Sequence, residues 1–311
     1  MPVSIAYLCV ILIWSTTPLA IQWSTQGAGF DFAVASRMWL GIIVAALICV
    51  LLRARPPLDR RSCLTYLASG LGVYFGMTGA YWSSQYIPSG WISVIFGLAP
   101  IYTSILGSLF LGEKSVGLHK TGSLLLCILG LYVMFRGGTP DRNSFYGVIA
   151  VMLGCLGYAL GIIAIKAVGA RIRPLFTMTG TLVVSGILFT VTWYLNGAVL
   201  PAETPPRAAA SIVYLGTIGS VLGFLLFYYV LQHVQATRAA LITVIAPGCA
   251  LALGNLLNAE PFTLKIITGA AMVLCGLLLF EFGAAIRKRI TRTKTGGYVN
   301  DETSDTWKPE K

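Results

Sequence analysis

Ten long apolar runs leave this 311-residue chain few possible architectures. Crossing the roughly 30 Å hydrocarbon core of a bilayer takes about 20 residues of α-helix. Because lipid offers the backbone no hydrogen-bond partners, each run must satisfy its own peptide groups, as a helix does. The runs cover residues 4–23, 33–52, 64–85, 89–112, 117–135, 146–168, 175–196, 209–232, 236–257 and 266–286. The sequence therefore predicts an all-α integral membrane protein with ten transmembrane helices, numbered below as spans 1–10.

Composition and motif content argue against a soluble enzyme. Charged residues make up 11% of the chain, whereas soluble domains carry about 25%. The seven cysteines include no CxxC pair, and the two histidines belong to no metal-ligand pattern. The sequence also lacks a GxxxxGK[ST] phosphate-binding loop. We therefore predict no catalytic residue, no metal site, no cofactor and no enzymatic activity.

The net charge of +11 is distributed unevenly along the chain. If the N-terminus is cytoplasmic and ten spans follow, 17 of the 22 basic residues lie on the cytoplasmic side and four on the other. Cytoplasmic loops of membrane proteins carry such an excess of Lys and Arg. The charge thus predicts cytoplasmic N- and C-termini and requires no nucleic-acid partner. The basic tail, 287–311, is expected to be disordered and to contact anionic membrane lipids. The sequence leaves the oligomeric state open.

The second half of the chain repeats the first. When the sequence is shifted by 147 residues, 13 of the 51 positions in 72–122 match those in 219–269 without a gap. The matches include Gly, Pro, Gln, Tyr and Glu, which a shared apolar composition does not explain. Two five-span units follow, 1–137 and 145–286. Because five is odd, the second unit crosses the membrane in the opposite direction, as in the inverted repeats of many secondary transporters.

Three prolines are expected to bend their spans. Pro100 and Pro247 are repeat equivalents in spans 4 and 9, whereas Pro18 in span 1 has no proline counterpart. A proline removes one helical hydrogen bond and clashes with the preceding turn. Both a moving hinge and a static kink agree with this pattern.

Two further repeated motifs are interpreted as structural. The Gly-x-x-x-Gly pairs Gly72–Gly76 and Gly219–Gly223 have the spacing that lets membrane helices approach closely. Glu113 and Glu260 end spans 4 and 9. Glu113 is placed to cap a helix starting near Ser115, where negative charge is favourable. A role in proton coupling is the alternative for both glutamates.

Polar and aromatic residues within the spans are candidates for lining a central cavity. The candidates are Tyr74, Thr78, Tyr81 and Gln85 in span 3, Tyr228 and Gln232 in span 8, Trp14 in span 1 and Tyr158 in span 6. Those in span 3 share one helix face, because they follow i, i+4, i+7 and i+11 spacing. Such groups normally point toward protein or a water-filled cavity. Packing between helices and anchoring at the membrane interface are the alternatives. Trp82, Tyr86 and Trp91 are expected in the aromatic belt near the outer surface.

Arg37 lies further from a span end than any other basic residue in the predicted spans. Two interpretations stay open for it. Its side chain can extend toward Asp31 near the membrane surface, or it can bind a carboxylate of a substrate.

The repeated motifs resemble those of a known family. Ala99-Pro100 is followed by Glu113 and Gly122, and Ala246-Pro247 by Glu260 and Gly269; Trp14-Ser15 and Arg37 add to the likeness. Over residues 5–286 the chain resembles ten-span members of the drug/metabolite transporter superfamily with two EamA-type repeats. The second half departs from the pattern, because it lacks the Trp-Ser motif and a basic residue in span 7.

The resemblance implies a small-molecule transporter of the bacterial inner membrane. It implies alternating access through a central cavity lined by spans 1, 3, 4, 6, 8 and 9. Export of amino acids or related metabolites is the leading expectation. A proton-coupled drug/metabolite antiporter and a non-transporting membrane partner subunit are the alternatives.

Overall fold

The computed structural model describes residues 2–113, 118–136, 142–234 and 241–295, without the side chains of 118–119, 228, 231–232 and 284–295. All the regular structure in these residues is helical, and the prediction of ten spans is confirmed. The helices are α1 (Val3–Thr25), α2 (Phe30–Leu51), α3 (Arg60–Ser83), α4a (Ser89–Phe96), α4b (Ala99–Phe110), α5 (Leu118–Phe135), α6 (Arg142–Val168), α7 (Pro174–Leu195), α8a (Pro206–Tyr214), α8b (Gly223–His233), α9 (Ile242–Asn258) and α10 (Leu264–Thr295). Span 8 also contains a π-helical segment, Leu215–Leu222, between α8a and α8b.

Length and hydropathy fit a membrane for most of these helices. Within the described residues, seven segments are long and apolar enough to cross a bilayer, and α9 and 120–135 of α5 are shorter apolar helices. The remaining helix, α3, has 24 residues. It is more polar because it begins with Arg60, Arg61 and Ser62.

Cap and turn residues explain several helix ends. Asp59 caps α3, because its carboxylate accepts hydrogen bonds from the Ser62 backbone N–H at 3.2 Å and the Ser62 hydroxyl at 2.6 Å. Gly27 and Gly29, with φ of +80° and +75°, form the turn between α1 and α2. This left-handed region is open to glycine at little cost.

The two repeat-equivalent prolines lie in different surroundings. Pro100 is the second residue of α4b, and span 4 is interrupted just before it, at Gly97 and Leu98. Pro247 lies inside the continuous α9, and Pro18 inside the continuous α1. Gly97 corresponds to Val244 in the repeat. Because glycine is a poor helix former, this difference explains why only span 4 is interrupted.

Helix packing follows a two-fold pattern between the halves. Helices α2 and α7 pack together, as do α5 and α10, and span 4 packs on α9; each of these pairs joins equivalent spans. The largest of the other contacts come as exchanged pairs. Helix α3 packs along α6 while span 8 packs along α1, and α1 packs on α9 while α6 packs on span 4. This exchange is the packing expected of an inverted repeat.

Glycines allow α3 and α6 to lie against each other. A Cβ atom on Gly79 would lie 2.6 Å from the Ala150 carbonyl oxygen, and one on Gly72 would lie 3.0 Å from the Gly161 Cα. Without side chains at these points, the two backbones can approach closely. Gly72 lies at one of these close approaches, and its predicted structural role stays a prediction.

The structure differs from the sequence prediction at Trp91 and at the start of the C-terminal tail. Trp91 is only 3% exposed and packs in the protein core, whereas the sequence placed it in the lipid-facing aromatic belt. The apolar run around it does not distinguish lipid from protein neighbours, because both are apolar. Helix α10 continues to Thr295, so the first nine residues of the predicted disordered tail are helical. Residues 296–311 lie outside the described chain.

Candidate functional site

Arg37 lies in a buried polar cluster between α2, α3 and span 8. Its side chain is 4% exposed. Nε donates a hydrogen bond to Ser220 Oγ at 3.1 Å, and Nη1 lies 3.5 Å from Tyr81 Oη and 3.6 Å from Met77 Sδ. These four residues are called the Arg37 cluster below. All three neighbours of the guanidinium are neutral, so the cluster has a net positive charge.

The π-helical segment explains the position of Ser220. The Ser220 hydroxyl donates to the Leu215 carbonyl, five residues earlier, at 2.9 Å and accepts from Arg37. Gly216 in the same segment lets α2 approach, because a Cβ atom there would lie 3.0 Å from the Arg37 carbonyl oxygen. Short π-helical segments inside α-helices are frequent at functional sites.

Arg37 does not extend toward Asp31. Asp31 instead accepts a hydrogen bond from Asn196 Nδ2 at 2.8 Å, which joins α2 to α7. Residues six apart on a helix do not share a face, so Asp31 and Arg37 point to different neighbours. The structure thus argues against the first of the two interpretations of Arg37.

The residues predicted on one face of α3 divide among three environments. Tyr81 is fully buried beside Arg37. The Tyr74 hydroxyl lies 2.7 Å from Thr192 Oγ1 of α7, and Thr78 donates to the carbonyl of Tyr74. Gln85 lies beyond the end of α3 and is exposed. Tyr74 therefore packs against α7, and a lining role for these residues stays a prediction.

Trp14 and Tyr158 lie over glycines of the opposite half. Trp14 Nε1 lies 3.6 Å from a Cβ position on Gly223, and Tyr158 Cβ lies 3.2 Å from one on Gly76. Both aromatic residues are half-buried. The second glycine of each predicted Gly-x-x-x-Gly pair thus faces an aromatic residue of span 1 or span 6. The predicted side-chain roles of Tyr228 and Gln232 lie outside the described side chains.

Glu260 connects three spans at one end of the bundle, called the Glu260 face. Its side chain accepts hydrogen bonds from the backbone N–H groups of Ser89 at 3.0 Å and Gly90 at 3.2 Å. Asn258 Nδ2 donates to it at 3.2 Å and to Gln22 Oε1 at 3.1 Å. Glu260 is 7% exposed. Its charge is stabilised because it lies at the N-terminus of α4a.

Two further contacts reinforce this end of the bundle. Trp23 Nε1 donates to Asn258 Oδ1 at 3.0 Å, and the Arg207 guanidinium lies 3.7 Å from the Trp23 ring centroid. Gln22, Trp23, Ser89, Gly90, Asn258 and Glu260 form the group called the Glu260 network below. A cavity of about 310 Å³ lies beside this network and is lined in part by Gln22, Ser84 and Gln85.

Glu113, the repeat equivalent of Glu260, has a different partner at the opposite end of the bundle. It accepts a hydrogen bond from Lys166 Nζ at 2.7 Å, and the two side chains are 44% and 51% exposed. Glu113 therefore contacts α6, whereas the sequence predicted a cap on the next helix. The residues around Ser115, where that cap was predicted, lie outside the described chain.

The local backbone at the two glutamates is the same. The Glu113 N–H donates to the Gly107 carbonyl at 3.3 Å, and the Glu260 N–H donates to the Gly254 carbonyl at 3.2 Å. A Cβ atom on either glycine would collide with the glutamate carboxylate. The repeat thus builds the same turn twice and gives its carboxylate different partners.

Sequence reasoning missed the partners of the charged residues. Ser220, Asn258 and Lys166 were not among the candidates. Ser220 directly follows the repeated Gly219, and Asn258 lies two residues before Glu260. Nearness to a repeated motif was the one available signal, and it does not identify a partner that is distant in sequence, as Arg37 is from Ser220, 183 residues away.

Comparison with known proteins identifies relatives over nearly the full chain. An uncharacterized transporter, YoaV, of Bacillus subtilis strain 168 is 24% identical over 92% of this chain and 99% of its own. The uncharacterized inner membrane transporter YedA of Escherichia coli K12 is 25% identical over 90% and 89%. A probable terminal-alkyne amino-acid exporter of Streptantibioticus cattleyicolor is 22% identical over 93% and 96%.

A solved structure and a family model agree with these sequence relatives. A solved crystal structure of a protein has a TM-score of 0.63 to this chain, at 16% identity, and covers 93% of this chain and 98% of its own. The model of the EamA-like transporter family matches residues 1–136 and 145–282, so it covers both halves. The chain is a multi-pass membrane transporter and belongs to the EamA-like transporter family.

Proposed function

We propose that this transporter exports amino acids or related small metabolites by alternating access between the two ends of its bundle. The observation that carries the proposal is the different engagement of the two repeat-equivalent glutamates. Glu260 is buried and bound to the start of α4a, whereas Glu113 is half-exposed and paired with Lys166. The same motif thus has two arrangements in one molecule.

The exchange of these arrangements supplies a mechanism. The repeat equivalents of Ser89 and Gly90 are Ala236 and Thr237, which precede α9 in the sequence and lie outside the described residues. In the opposite conformation, Glu113 would bind the backbone there and Glu260 would release α4a. One end of the bundle then closes as the other opens, because each carboxylate joins its span to a helix N-terminus in only one state.

Three observations support amino acids as the cargo. Trp14 and Tyr158 are half-buried aromatic residues contributed by equivalent helices of the two halves. Arg37 is the one basic residue deep within a described span, so the interior lacks the cluster of cations that a phosphate would need. The relative from Streptantibioticus is named as a probable amino-acid exporter.

The proposed location is the bacterial inner membrane with both termini in the cytoplasm. The relative YedA is named as an inner membrane transporter. The bias of basic residues supports the orientation. The Glu260 face would then be external, and the Glu113 end would face the cytoplasm. The conformation described here would be closed on the outside.

Flux measurements in proteoliposomes test the proposal. Vesicles loaded with a mixture of neutral amino acids should release some of them with saturable kinetics, with or without a pH gradient. Trp14→Ala and Tyr158→Ala should slow that release at least tenfold. Tyr194→Ala serves as the matched aromatic control, because Tyr194 is 72% exposed near the end of α7.

The possible results separate the alternatives. Efflux that requires a pH gradient, and loses this requirement in Glu113→Gln or Glu260→Gln, would favour a proton-coupled antiporter. A wild-type protein that releases nothing faster than empty vesicles, across amino acids and drug-like cations, would favour a non-transporting partner subunit. Equal rates in all three aromatic variants would remove Trp14 and Tyr158 from the cargo path.

A further inference from the structure

We propose that the Arg37 cluster is the subsite that binds the carboxylate of a monocarboxylate cargo. The inference rests on the proposed function and assigns cargo selectivity to one residue. Its starting point is electrostatic. A guanidinium that is 4% exposed inside a membrane span is costly unless an anion or several hydrogen bonds compensate it.

The protein supplies only part of that compensation. Nε has a well-formed hydrogen bond to Ser220 Oγ, but the two contacts of Nη1 are at 3.5 Å and 3.6 Å. Nη2 has no hydrogen-bond partner among the described residues. The one salt bridge in the described part of the chain joins Lys166 to Glu113 and not to Arg37. The buried charge is therefore left for an anion from outside the protein.

The outer edge of the guanidinium, which carries Nη1 and Nη2, has only long contacts to described side chains. Ser220 holds Nε, so Nη1 and Nη2 remain as the pair that can donate two parallel hydrogen bonds to a carboxylate. Gly219 packs beside Nη2, because a Cβ atom built on it would lie 3.9 Å from this nitrogen, and as a glycine it offers no side-chain acceptor there. The π-helical segment fixes Ser220 and Gly219 together and thereby orients the guanidinium before an anion binds.

The cluster belongs to one half of the repeat only. The residue that corresponds to Arg37 is Thr181, at the 144-residue offset between α2 and α7, and the residue that corresponds to Ser220 is Val73; neither carries a charge. The repeated residues can therefore serve the conformational change of alternating access. Arg37 and Ser220, which are not repeated, distinguish the carboxylate end of the cargo from the other end. A single guanidinium matches one negative charge, which favours a monocarboxylate over a dicarboxylate or a phosphate.

Ligand-induced thermal stabilisation of the purified full-length protein tests the assignment without relying on flux. The probes are L-leucine with L-leucinamide, and butyrate with butyramide. Each pair differs in replacing the carboxylate by an amide. The wild-type protein should be stabilised by at least one of the acids, with at least tenfold weaker binding of its amide. In Arg37→Gln the acid should bind no better than the amide.

Two variants make the test specific. Arg37→Lys keeps the charge but loses the planar fork, so it should retain part of the preference for the acid. Arg136→Gln is the matched control, because Arg136 is exposed at the end of α5 and contacts Tyr132. It should bind the probes as the wild-type protein does. If Arg37→Gln does not fold, the comparison of acid with amide in the wild-type protein and Arg37→Lys still decides.

The outcomes also separate this proposal from the proposed function. Binding of butyrate but not butyramide, with no amino-acid flux, would uphold the carboxylate subsite and overturn amino-acid export. Amino-acid flux with equal binding of acids and amides would overturn the subsite and leave export standing. Failure of every acid to bind the wild-type protein, or an undiminished preference for acids in Arg37→Gln, would overturn the subsite.

Discussion

At the scale of single residues, burial distinguishes the two repeated glutamates. Glu260 accepts two backbone N–H groups in a buried site, and hydrogen bonds to charged groups contribute about 1.5–3 kcal/mol. Glu113 makes a half-exposed ion pair, which contributes less than about 1 kcal/mol. Glu260→Gln should therefore lower the midpoint of thermal unfolding in detergent by about 3–10 °C. Glu113→Gln should change it by only a few degrees. Equal losses in the two variants would contradict the assignment of Glu260 as the engaged member of the pair.

At the scale of helices, the contact between α3 and α6 depends on the absence of side chains. A Cβ atom on Gly79 would lie 2.6 Å from the Ala150 carbonyl oxygen and 2.8 Å from the Gly154 Cα, so backbone must move to admit it. Gly79→Ala should therefore separate the two helices and reduce the yield of monodisperse protein in size-exclusion chromatography. Gly122→Ala is the control, because a Cβ atom there meets no described atom within 4 Å and alanine is the better helix former. Similar losses from both substitutions would show that the close approach is not what limits folding.

The sequence predicts helices better than it predicts their neighbours. The ten spans follow from the lengths of the apolar runs, and the repeat follows from recurring residues. Both signals can be read from the sequence without knowing which helices are neighbours. The interruption before Pro100 depends on Gly97, which the repeat does not share, and the π-helical segment has no local signature. Trp91 shows a second limit: lipid and protein neighbours are equally apolar, so hydropathy does not tell which face is buried. The bond from Glu260 to Ser89 joins residues 171 positions apart and becomes visible only in the fold.

At the scale of the whole molecule, the inverted repeat places equivalent residues in both halves, and the present conformation gives them different partners. Trp14 and Tyr158 are 144 residues apart, and so are Gln22 and Lys166. Gln22 belongs to the Glu260 network through Asn258, and Lys166 binds Glu113 directly. Each glutamate is thus connected to the end of the first helix of the other half. If Glu113 releases Lys166 when the bundle changes conformation, the Lys166–Glu113 pair stabilises the present conformation relative to the opposite one.

Removing Lys166 should therefore shift the population toward the conformation that is open at the Glu260 face. An exposed ion pair contributes up to about 1 kcal/mol, which corresponds to at most about a fivefold change in population. Ser84, which is 4% exposed beside the cavity at that face, provides the reporter. In a background without the native cysteines, Ser84→Cys should react about two- to fivefold faster with a membrane-impermeant maleimide when Lys166→Ala is added. In intact cells the label should enter from outside, as the proposed orientation requires.

Lys120→Ala is the control for this shift, because the Lys120 ammonium contacts the Ser104 hydroxyl and the Phe280 ring and forms no described ion pair with Glu113. Its loss removes a positive charge of the same kind without releasing Glu113. The labelling rate at Ser84→Cys should then remain that of the parent protein. A rate that rises equally in both lysine variants would reflect general loosening, and a rate unchanged by Lys166→Ala would contradict the exchange of glutamate partners. Faster labelling in Lys166→Ala alone would connect the two ends of the bundle energetically, because the mutation and the reporter lie on opposite faces.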